Sequence, residues 1–275
     1  MKFLPLLSAA SSLLLVATAA CDDTSGDGGA GGAPASGGAP SDGGAGPGGA
    51  PSGACPDGGF VSLTYDDSLP SQLTTAVPAL DAHGLHATFF LTSVSSSWGA
   101  LVASGHELAA HTTVHPCPSS YYPNPGNGSE DFDLERMADE LDSNAAAIEA
   151  LGQPAPLHFA YPCGVKWVGA DQDSYVPLVQ ERFAGARGVV GKVITTLTDA
   201  YDVPAYFSTG TAEQLIAIAD NAVNQKGWVV FGFHGVGGDH TPVEAAAHEA
   251  LLAHLVEADI PVLTFGAGLE CKRAP

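Results

Sequence analysis

Short apolar segments alternate with amphipathic segments over most of this 275-residue chain. The apolar segments are rich in β-branched and aromatic residues and end at Gly, Pro or polar residues, which is typical of buried strands. The predicted strands are 60–65, 86–91, 107–110, 157–161, 187–190, 228–233 and 261–265, with a further candidate strand around Tyr206 in the otherwise irregular region 194–210. The predicted helices are 70–82, 98–104, 133–151, 174–185, 211–227 and 242–258.

This alternation predicts an α/β domain in which crossover helices join parallel strands. Such a sheet can close, or nearly close, into a barrel, or it can stay open with helices on both faces. The polar residues favour the barrel, because Asp66, Asp67, His111, Pro162 and His234 all follow predicted strands. The carboxyl ends of barrel strands meet at one rim, which would gather these distant residues.

The first 54 residues differ from the rest. Residues 1–20 have one early Lys, an apolar stretch and small residues at the end, which is typical of a secretory signal peptide. Thr18-Ala19-Ala20-Cys21 resembles a bacterial lipobox, although Leu is usual where Thr18 stands. The resemblance implies a lipid on Cys21 and a cell-envelope lipoprotein. The alternative is ordinary cleavage near Ala20 and secretion.

Residues 21–54 are nearly all Gly, Ala, Pro, Ser and Asp. Side chains of this kind bury too little apolar area to offset the cost of ordering the backbone, which predicts a disordered tether. The remaining residues, 55–275, are of a suitable length for a single domain with a sizeable core. We expect this domain to be a monomer.

The domain is strongly acidic. The chain has a formal net charge of −21, and residues 1–54 hold four of its 30 acids and one of its nine bases, so the remainder carries −18. Such a surface repels phosphate polymers, which argues against nucleic acid as a partner. A neutral or weakly charged substrate fits better, and a membrane would be contacted only through a lipid on Cys21.

Four cysteines remain in the domain of what is predicted to be an exported chain, which indicates disulfides. Cys55 and Cys271 bracket the domain, whose termini are expected to lie close together. Cys117 and Cys163 both lie beside the predicted site. We predict the pairs Cys55–Cys271 and Cys117–Cys163, with metal ligation by thiolates as the alternative for the second pair.

The most informative polar residues are Asp66-Asp67 and His111-x-x-x-His115. Two imidazoles four residues apart can face the same way on a helical turn and bind one ion. One carboxylate can complete the ligand set, and the other can serve as a general base. Two imidazoles and one carboxylate leave a coordination position open, as in a catalytic metal site. This pattern predicts a metal-dependent enzyme.

Four short motifs resemble, in order and spacing, the signatures of the polysaccharide deacetylases, carbohydrate esterase family 4. They span essentially the whole domain, and together they are specific where each alone is moderate. The motifs are Thr64-Tyr65-Asp66-Asp67-Ser68, His111-Thr112-Thr113-Val114-His115-Pro116, Phe159-Ala160-Tyr161-Pro162-Cys163-Gly164 and Phe231-Gly232-Phe233-His234.

The resemblance implies a distorted (β/α) barrel of about seven parallel strands. It implies removal of N- or O-acetyl groups from an acetylated glycan, such as a chitin-like, peptidoglycan or xylan substrate, with a divalent metal, usually Zn²⁺. Asp67, His111 and His115 would bind the metal. Ligand type alone also permits cobalt, nickel or manganese.

The resemblance also implies catalytic roles. Asp66 would be the general base and His234 the general acid. The backbone N–H of Cys163 would help to hold the oxyanion, and Tyr161 and Pro162 would contact the substrate. The chemistry is consistent with these roles, because an amine leaves poorly as an anion and an imidazole can supply its proton near neutral pH.

The third motif departs from the family pattern. An Arg that tunes the base usually stands where Ala160 does, and the nearest cationic candidates in sequence are Lys166 and Arg187. Ser68 also replaces a usual Gly. These departures put the substrate in doubt, and we read them as a subfamily variant.

Some residues have two readings. Trp98, Trp167 and Tyr161 can stack on sugar rings, but core packing explains them equally well. Asp239 and His240 follow His234 and are candidates for lining the cleft.

Two other functions remain open at this stage. One is a metal-dependent amidohydrolase acting on a small non-sugar amide, and the other is a non-catalytic surface module that binds glycans. The long loop 116–132 discriminates between the enzymes, since an open groove suits a polymer and a lidded pocket suits a small molecule.

Overall fold

Strands and helices alternate along the described chain. The computed structural model describes residues 55–207 and 209–273, and the predicted signal peptide, Cys21 and the tether lie outside them. The strands are β1 (Phe60–Asp66), β2 (Thr88–Leu91), β3 (Glu107–Ala110), β4 (Phe159–Ala160), β5 (Trp167–Val168), β6 (Asp173–Ser174), β7 (Ala186–Arg187), β8 (Tyr206–Phe207) and β9 (Trp228–Phe233). The helices are α1 (Val77–Ala82), α2 (Gly99–Ala103), α3 (Leu134–Glu149), α4 (Val176–Arg182), α5 (Ala212–Asn224), α6 (Ala245–Glu257) and α7 (Phe265–Arg273).

Seven strands form one parallel sheet in the order β7-β4-β3-β2-β1-β9-β8. The sheet curls so that the segment leading into β8, at one end of the sheet, also contacts β7 at the other end. Val203 bridges Arg187 on β7, and Tyr206–Phe207 (β8) pair with β9. The predicted distorted (β/α) barrel of about seven parallel strands is therefore confirmed. The antiparallel hairpin of β5 and β6 is separate from this sheet and was not predicted.

Alternate residues of each strand face opposite sides of the curled sheet. On β1, Val61 and Leu63 belong to the large apolar cluster that includes the helices, whereas Phe60 belongs to a smaller cluster inside the barrel. Phe60 and Trp228 are the first residues of β1 and β9, and their rings stack at 5.8 Å. Large apolar side chains thus fill the amino end of the barrel.

The predicted strand 261–265 is wrong. Only Val262 bridges to β1, opposite Val61. The cause is the limited free edge of β1: β2 pairs with it from Thr64 onward, so only the first residues of β1 are uncovered on that side. A segment that can pair with so few residues does not extend into a strand.

The chain turns into α7 at this point because the barrel interior offers acceptors for the first amides of the helix. The N–H of Phe265 donates to Thr88 Oγ1 at 2.7 Å, and the N–H of Gly266 donates to Glu107 Oε2 at 2.9 Å. Gly268 lies against Trp228, where a Cβ would approach the indole to 2.9 Å. Helix α7 thereby packs across the amino end of β1 and β9.

The strand predicted at 187–190 ends at Arg187. Val189 and Val190 are 41% and 75% exposed and lie in the loop after β7. Their β-branched character suggests a strand, but β7 has only the two-residue β4 as its strand partner, so pairing ends with Arg187.

The structure contains two disulfides, in the predicted pairing. Cys55–Cys271 joins the start of the domain to α7, with a Cα–Cα distance of 5.3 Å. Cys117–Cys163 joins the loop after His115 to the turn after β4, with a Cα–Cα distance of 5.7 Å. Within the described ranges, no helix is both long and apolar enough to cross a membrane.

Candidate active site at the carboxyl rim

Polar side chains meet at the carboxyl rim of the barrel, where parallel strands end. Asp66 is the last residue of β1 and Asp67 follows it, while His111 follows β3 and His234 follows β9. Together with His115 they line one cavity of about 690 Å³. The structure thus brings together all five side chains that were predicted as metal ligands, base and acid.

Asp67, His111 and His115 form a potential ligand set for one cation. One donor atom from each lies within 4.8 Å of the others. Asp67 Oδ1 is 3.6 Å from His111 Nε2 and 3.4 Å from His115 Nε2. Carboxylate oxygen and imidazole nitrogen are ligands that zinc and other first-row divalent ions accept. The residues present therefore fit the metal that the resemblance implies.

His111 has its metal-binding nitrogen free. Its Nδ1 lies 2.8 Å from the carbonyl oxygen of Ala160. Because a carbonyl can only accept, Nδ1 carries the proton and the lone pair of Nε2 faces the pocket. Burial lowers the pKa of His111 to about 3, against the opposing charge of Asp66. The ring is therefore neutral near pH 7, as a metal ligand must be.

The backbone from His111 to His115 is not a helical turn, so that part of the sequence interpretation is wrong. Thr112 and His115 have φ values of 58° and 52°, in the left-handed region that non-glycine residues rarely adopt. Thr112 Oγ1 accepts from the N–H of His115 at 3.2 Å and stabilises this loop. Asp67, with φ 78°, is also left-handed. Left-handed backbone thus occurs at two of the three candidate ligands, Asp67 and His115, and at Thr112, which follows the third; such strain is common at functional sites.

Asp66 is paired with a buried arginine from another strand. Nη2 of Arg187 lies 2.7 Å from Oδ1 and 2.5 Å from Oδ2 of Asp66. Arg187 lies on β7 and pairs in register with Ala160 on β4. The guanidinium that the family pattern would put at Ala160 is therefore supplied from the adjacent position of the neighbouring strand. Lys166, the other candidate, instead forms an ion pair with Asp202.

The two adjacent aspartates have different pKa values. Burial alone would raise the pKa of Asp66, but the charge of Arg187 and its hydrogen bond outweigh burial, and the pKa is lowered. For Asp67, burial and the neighbouring Asp66 charge raise the pKa to about 6. Asp66 is thus held as a carboxylate, and Asp67 lacks a strong cationic partner among the described residues. This asymmetry suits Asp66 as a base and Asp67 as a metal ligand.

His234 lies on the other side of Asp67, with Nε2 3.7 Å from Asp67 Oδ2. The centroid of its ring lies 5.3 Å from the ring centroid of Phe207 and 5.4 Å from that of His240. The side-chain amide of Gln72 donates to the carbonyl oxygens of both Asp66 and His234. Gln72 thereby ties the ends of β1 and β9 together, a role that nothing in its sequence context indicates.

Asp239 and His240 are the two candidates on the loop after His234, and His240 lines the pocket. The carboxylate of Asp239 instead accepts from the N–H of Ser71 at 2.6 Å.

Cys163, the candidate oxyanion donor, lines the same pocket in a turn after β4. Its φ of 52° is left-handed, and its Sγ is bonded to Cys117. Cys117 lies two residues after His115, and their Sγ and Nδ1 atoms are 3.5 Å apart. The disulfide thus joins the turn of the candidate N–H donor to the loop of a candidate metal ligand. Because both sulfurs are in a disulfide, neither is available as a thiolate ligand.

The candidate sugar-stacking residues separate into two groups. Trp98 is 2% exposed and belongs to the core. Tyr161 is 1% exposed and belongs to the core, although it is among the residues that line the pocket, and Pro162 is buried beside it. Trp167 lies outside this pocket.

Tyr121 and Tyr122 also line the pocket and are 70% and 62% exposed. Sequence reasoning missed both, although two aromatics in a polar, Pro-rich loop are a usable signal.

A family model described as polysaccharide deacetylase matches residues 53–173. No curated protein matches the sequence. The solved structures that resemble the fold include three with a TM-score of 0.5 or more. One is the family 4 carbohydrate esterase domain of a multidomain xylanase from the hindgut metagenome of Trinervitermes trinervoides, at 17% identity and TM-score 0.53, covering 79% of this chain and 93% of that one.

The second is a peptidoglycan N-acetylglucosamine deacetylase, at 15% identity and TM-score 0.51, covering 77% of this chain and 88% of that one. The third is a deacetylase determined with substrate, at 17% identity and TM-score 0.51, covering 77% and 90%. At these identities the similarities show the fold. With the family match over residues 53–173, they confirm the resemblance to the polysaccharide deacetylases, a family of enzymes that act on acetyl groups of carbohydrates.

The buried ion pair generates a stability prediction. Arg187→Met should leave Asp66 as an unpaired buried charge and lower the free energy of unfolding by about 3–5 kcal/mol. Adding Asp66→Asn should recover most of that loss, because Asn carries no charge. Urea unfolding of the single and double variants measures both effects. Arg182→Met, which removes a surface ion pair with Asp142, is the matched control, with an expected change below about 1 kcal/mol. A double variant as unstable as Arg187→Met would contradict the pairing.

The two disulfides should affect different properties. Replacing Cys117 and Cys163 together by Ser should lower kcat for acetate release by about tenfold or more, up to the roughly 10²–10³-fold expected for complete loss of an oxyanion donor. Replacing Cys55 and Cys271 together by Ser should lower stability by about 2–5 kcal/mol and leave kcat near that of the parent at low temperature. Equal kcat losses in both variants would show that Cys117–Cys163 has no special role at the site.

Proposed function

We propose that the domain is a metal-dependent hydrolase that removes N- or O-acetyl groups from a carbohydrate polymer or oligosaccharide. The observation that carries this proposal is the cluster of Asp67, His111 and His115 donor atoms beside an ionised, buried Asp66. A ligand set next to a separate fixed carboxylate is what metal-assisted hydrolysis requires.

A divalent cation, which we expect to be Zn²⁺, would be held by Asp67, His111 and His115. When bound, it would polarise the acetyl carbonyl and lower the pKa of water at the site. The ion would also offset the repulsion that raises the pKa of Asp67 beside Asp66. His111 already presents an unprotonated Nε2, so binding there displaces no proton from this ring.

Asp66 is the proposed general base. Its Oδ2 is 3.8 Å from His111 Nε2, so the carboxylate adjoins the ligand cluster without belonging to the closest set of donors. Arg187 holds both of its oxygens and keeps it ionised. Asp66 would accept a proton from the attacking water.

His234 is the proposed general acid. It lies across Asp67 from the two histidine ligands and would give its proton to the departing amine or alkoxide. The backbone N–H of Cys163 would donate to the carbonyl oxygen as negative charge develops there. Tyr161 forms part of the wall against which the acetyl group would be held.

A glycan substrate is supported by the walls of the pocket. Tyr121, Tyr122, Val189 and Phe207 offer aromatic and apolar surface, and the lining contains no lysine or arginine among the described residues. Such surface suits the apolar faces of neutral sugars, whereas an anionic polymer would face a domain of net charge −18. Against a non-catalytic module, the predicted base, acid and ligands all lie in one pocket.

Release of acetate tests this function. The purified domain should release acetate from chitooligosaccharides or acetylxylan, lose that activity with a chelator, and regain it when Zn²⁺ is added back. Release from a small non-sugar amide but from no glycan would favour the amidohydrolase alternative. A protein that binds glycans but neither metal nor acetyl substrate would be a binding module.

Two variants separate the roles of the adjacent aspartates. Asp66→Asn should bind Zn²⁺ with near-parental affinity and lose about 10²–10⁴-fold in kcat, as expected when a positioned base is removed. Asp67→Ala should instead lose Zn²⁺ affinity, measured by calorimetry. Asp139→Asn, on the surface of α3, is the control and should change neither. Near-parental turnover of Asp66→Asn would mean that another group acts as the base.

We further propose that the chain is exported and anchored in the cell envelope through a lipid on Cys21, with residues 21–54 as a tether. The lipobox-like sequence before Cys21 supports this. In a bacterial host, the parental chain should incorporate labelled fatty acid and partition into detergent, and Cys21→Ala should do neither. Unlabelled, soluble parental protein would favour simple secretion.

A further inference from the structure

A second cavity adjoins the active-site pocket. It has a volume of about 430 Å³ and is lined mainly by the loop after Cys117 and by the β5–β6 hairpin. Tyr121 lines both cavities, so the two are neighbours at this residue. We propose that Tyr121 and Trp167 form a second sugar-binding subsite and that the substrate is an oligo- or polysaccharide of neutral pyranose units. This inference rests on the proposed function and specifies its substrate.

The exposure of Tyr121 has no structural explanation within the domain. The ring is 70% exposed, and among the described residues it stacks on no other aromatic ring. Exposed aromatic rings at the edge of a pocket provide apolar faces of the kind that sugar rings stack on.

The loop that carries Tyr121 is held in place. The disulfide to Cys163 fixes one end of it, and the N–H of Tyr121 donates to the carbonyl oxygen of Pro118 at 2.8 Å. The N–H of Ser129 donates to the carbonyl oxygen of Cys117 at 3.0 Å and closes the loop. A ring on a loop fixed in this way loses little conformational entropy on binding, which favours a preformed site.

Trp167 provides the opposite wall from the β5–β6 hairpin. The hairpin is tied to the loop, because the N–H of Gly169 donates to the carbonyl oxygen of Ser129 at 2.9 Å. The positions of Tyr121 and Trp167 relative to each other are therefore set by backbone hydrogen bonds. This hairpin has no part in the barrel sheet, and the subsite gives it a function.

The remaining lining residues are suited to sugar hydroxyl groups. Ser120, Glu130 and Gln172 supply hydroxyl, carboxylate and amide groups. Glu130 accepts from the N–H of Ser119, and its carboxylate has further acceptor capacity. The described residues that line this cavity include no lysine or arginine, so an anionic polymer would find no partner for its charge. A small amide substrate would use only the first pocket.

Length dependence of turnover tests the subsite. We expect kcat/KM of the parent, with Zn²⁺, to rise from the dimer to the pentamer of N-acetylglucosamine or of acetylated xylose. Tyr121→Ala and Trp167→Ala should each lower the pentamer-to-dimer ratio of kcat/KM by about 3- to 10-fold, mainly through KM, as expected for loss of one stacked ring. Tyr121→Phe should keep the ratio. Val190→Ala, an exposed apolar residue outside both cavities, is the control and should leave the ratio unchanged.

Binding without turnover provides an independent measurement. The chain has three tryptophans, and Trp98 and Trp228 are 2% and 0% exposed, so a fluorescence change on adding a sugar pentamer would report Trp167. In Asp66→Asn, the pentamer should change the fluorescence and the monomer should not. Trp167→Phe should abolish the change.

The outcomes separate the two proposals. Acetate release that is independent of chain length, or ratios that Tyr121→Ala and Trp167→Ala leave intact, would overturn the subsite and leave the deacetylase function standing. If no glycan releases acetate, the proposed function fails. In that case, a fluorescence change specific to the pentamer would still support the subsite, and its absence would overturn it.

Discussion

The site depends on one buried ion pair. Asp66 and Arg187 are 2% and 1% exposed, and a charge of either sign that deep in a protein costs several kcal/mol unless it is paired and hydrogen-bonded. Here Arg187 contacts both oxygens of Asp66, and its guanidinium lies 4.8 Å from the rings of both Phe90 and Phe207. The pair therefore fixes a carboxylate in the wall of the pocket at a defined place and in its charged form.

The rest of the rim follows from that constraint. Because Arg187 is paired with Asp66, the next carboxylate, Asp67, lacks a strong cationic partner among the described residues. The backbone of Asp67 is left-handed, and its carboxylate lies near His111 and His115. The two aspartates are neighbours in sequence but differ in electrostatic environment, and this difference is consistent with the proposed roles of Asp66 as base and Asp67 as ligand. The strained backbone at Asp67, His115 and Cys163 is held by hydrogen bonds and a disulfide. A cation at the donor cluster would offset the remaining charge.

The sequence predicted the parts of the site that depend on local order. Asp66, Asp67, His111 and His234 could be assigned to one rim because each follows a strand, and parallel strands of a barrel end on the same side. The fold was predictable for the same reason, from the regular alternation of apolar strands and amphipathic helices. These features require only the chain direction and the periodicity of each segment.

What sequence reasoning missed depends on pairing between distant segments. Arg187 could be named as a cation but not as the partner of Asp66, because that requires the register of β4 against β7, which places it beside Ala160. The strand predicted at 261–265 does not form and α7 begins at Phe265, because the chain path there is decided by the short free edge of β1 and by acceptors on Thr88 and Glu107. The loop from His111 to His115 adopts left-handed conformations that local propensity does not indicate.

We propose that Asp67, His111 and His115 share one cation beside the fixed carboxylate of Asp66. X-ray absorption spectroscopy at the zinc edge, on protein loaded with one equivalent of Zn²⁺, tests it most directly. We expect two imidazole nitrogens and one carboxylate oxygen among the ligands, with the imidazole signal reduced in His111→Ala. Sulfur ligands from Cys117 or Cys163, or zinc bound without any imidazole, would contradict it.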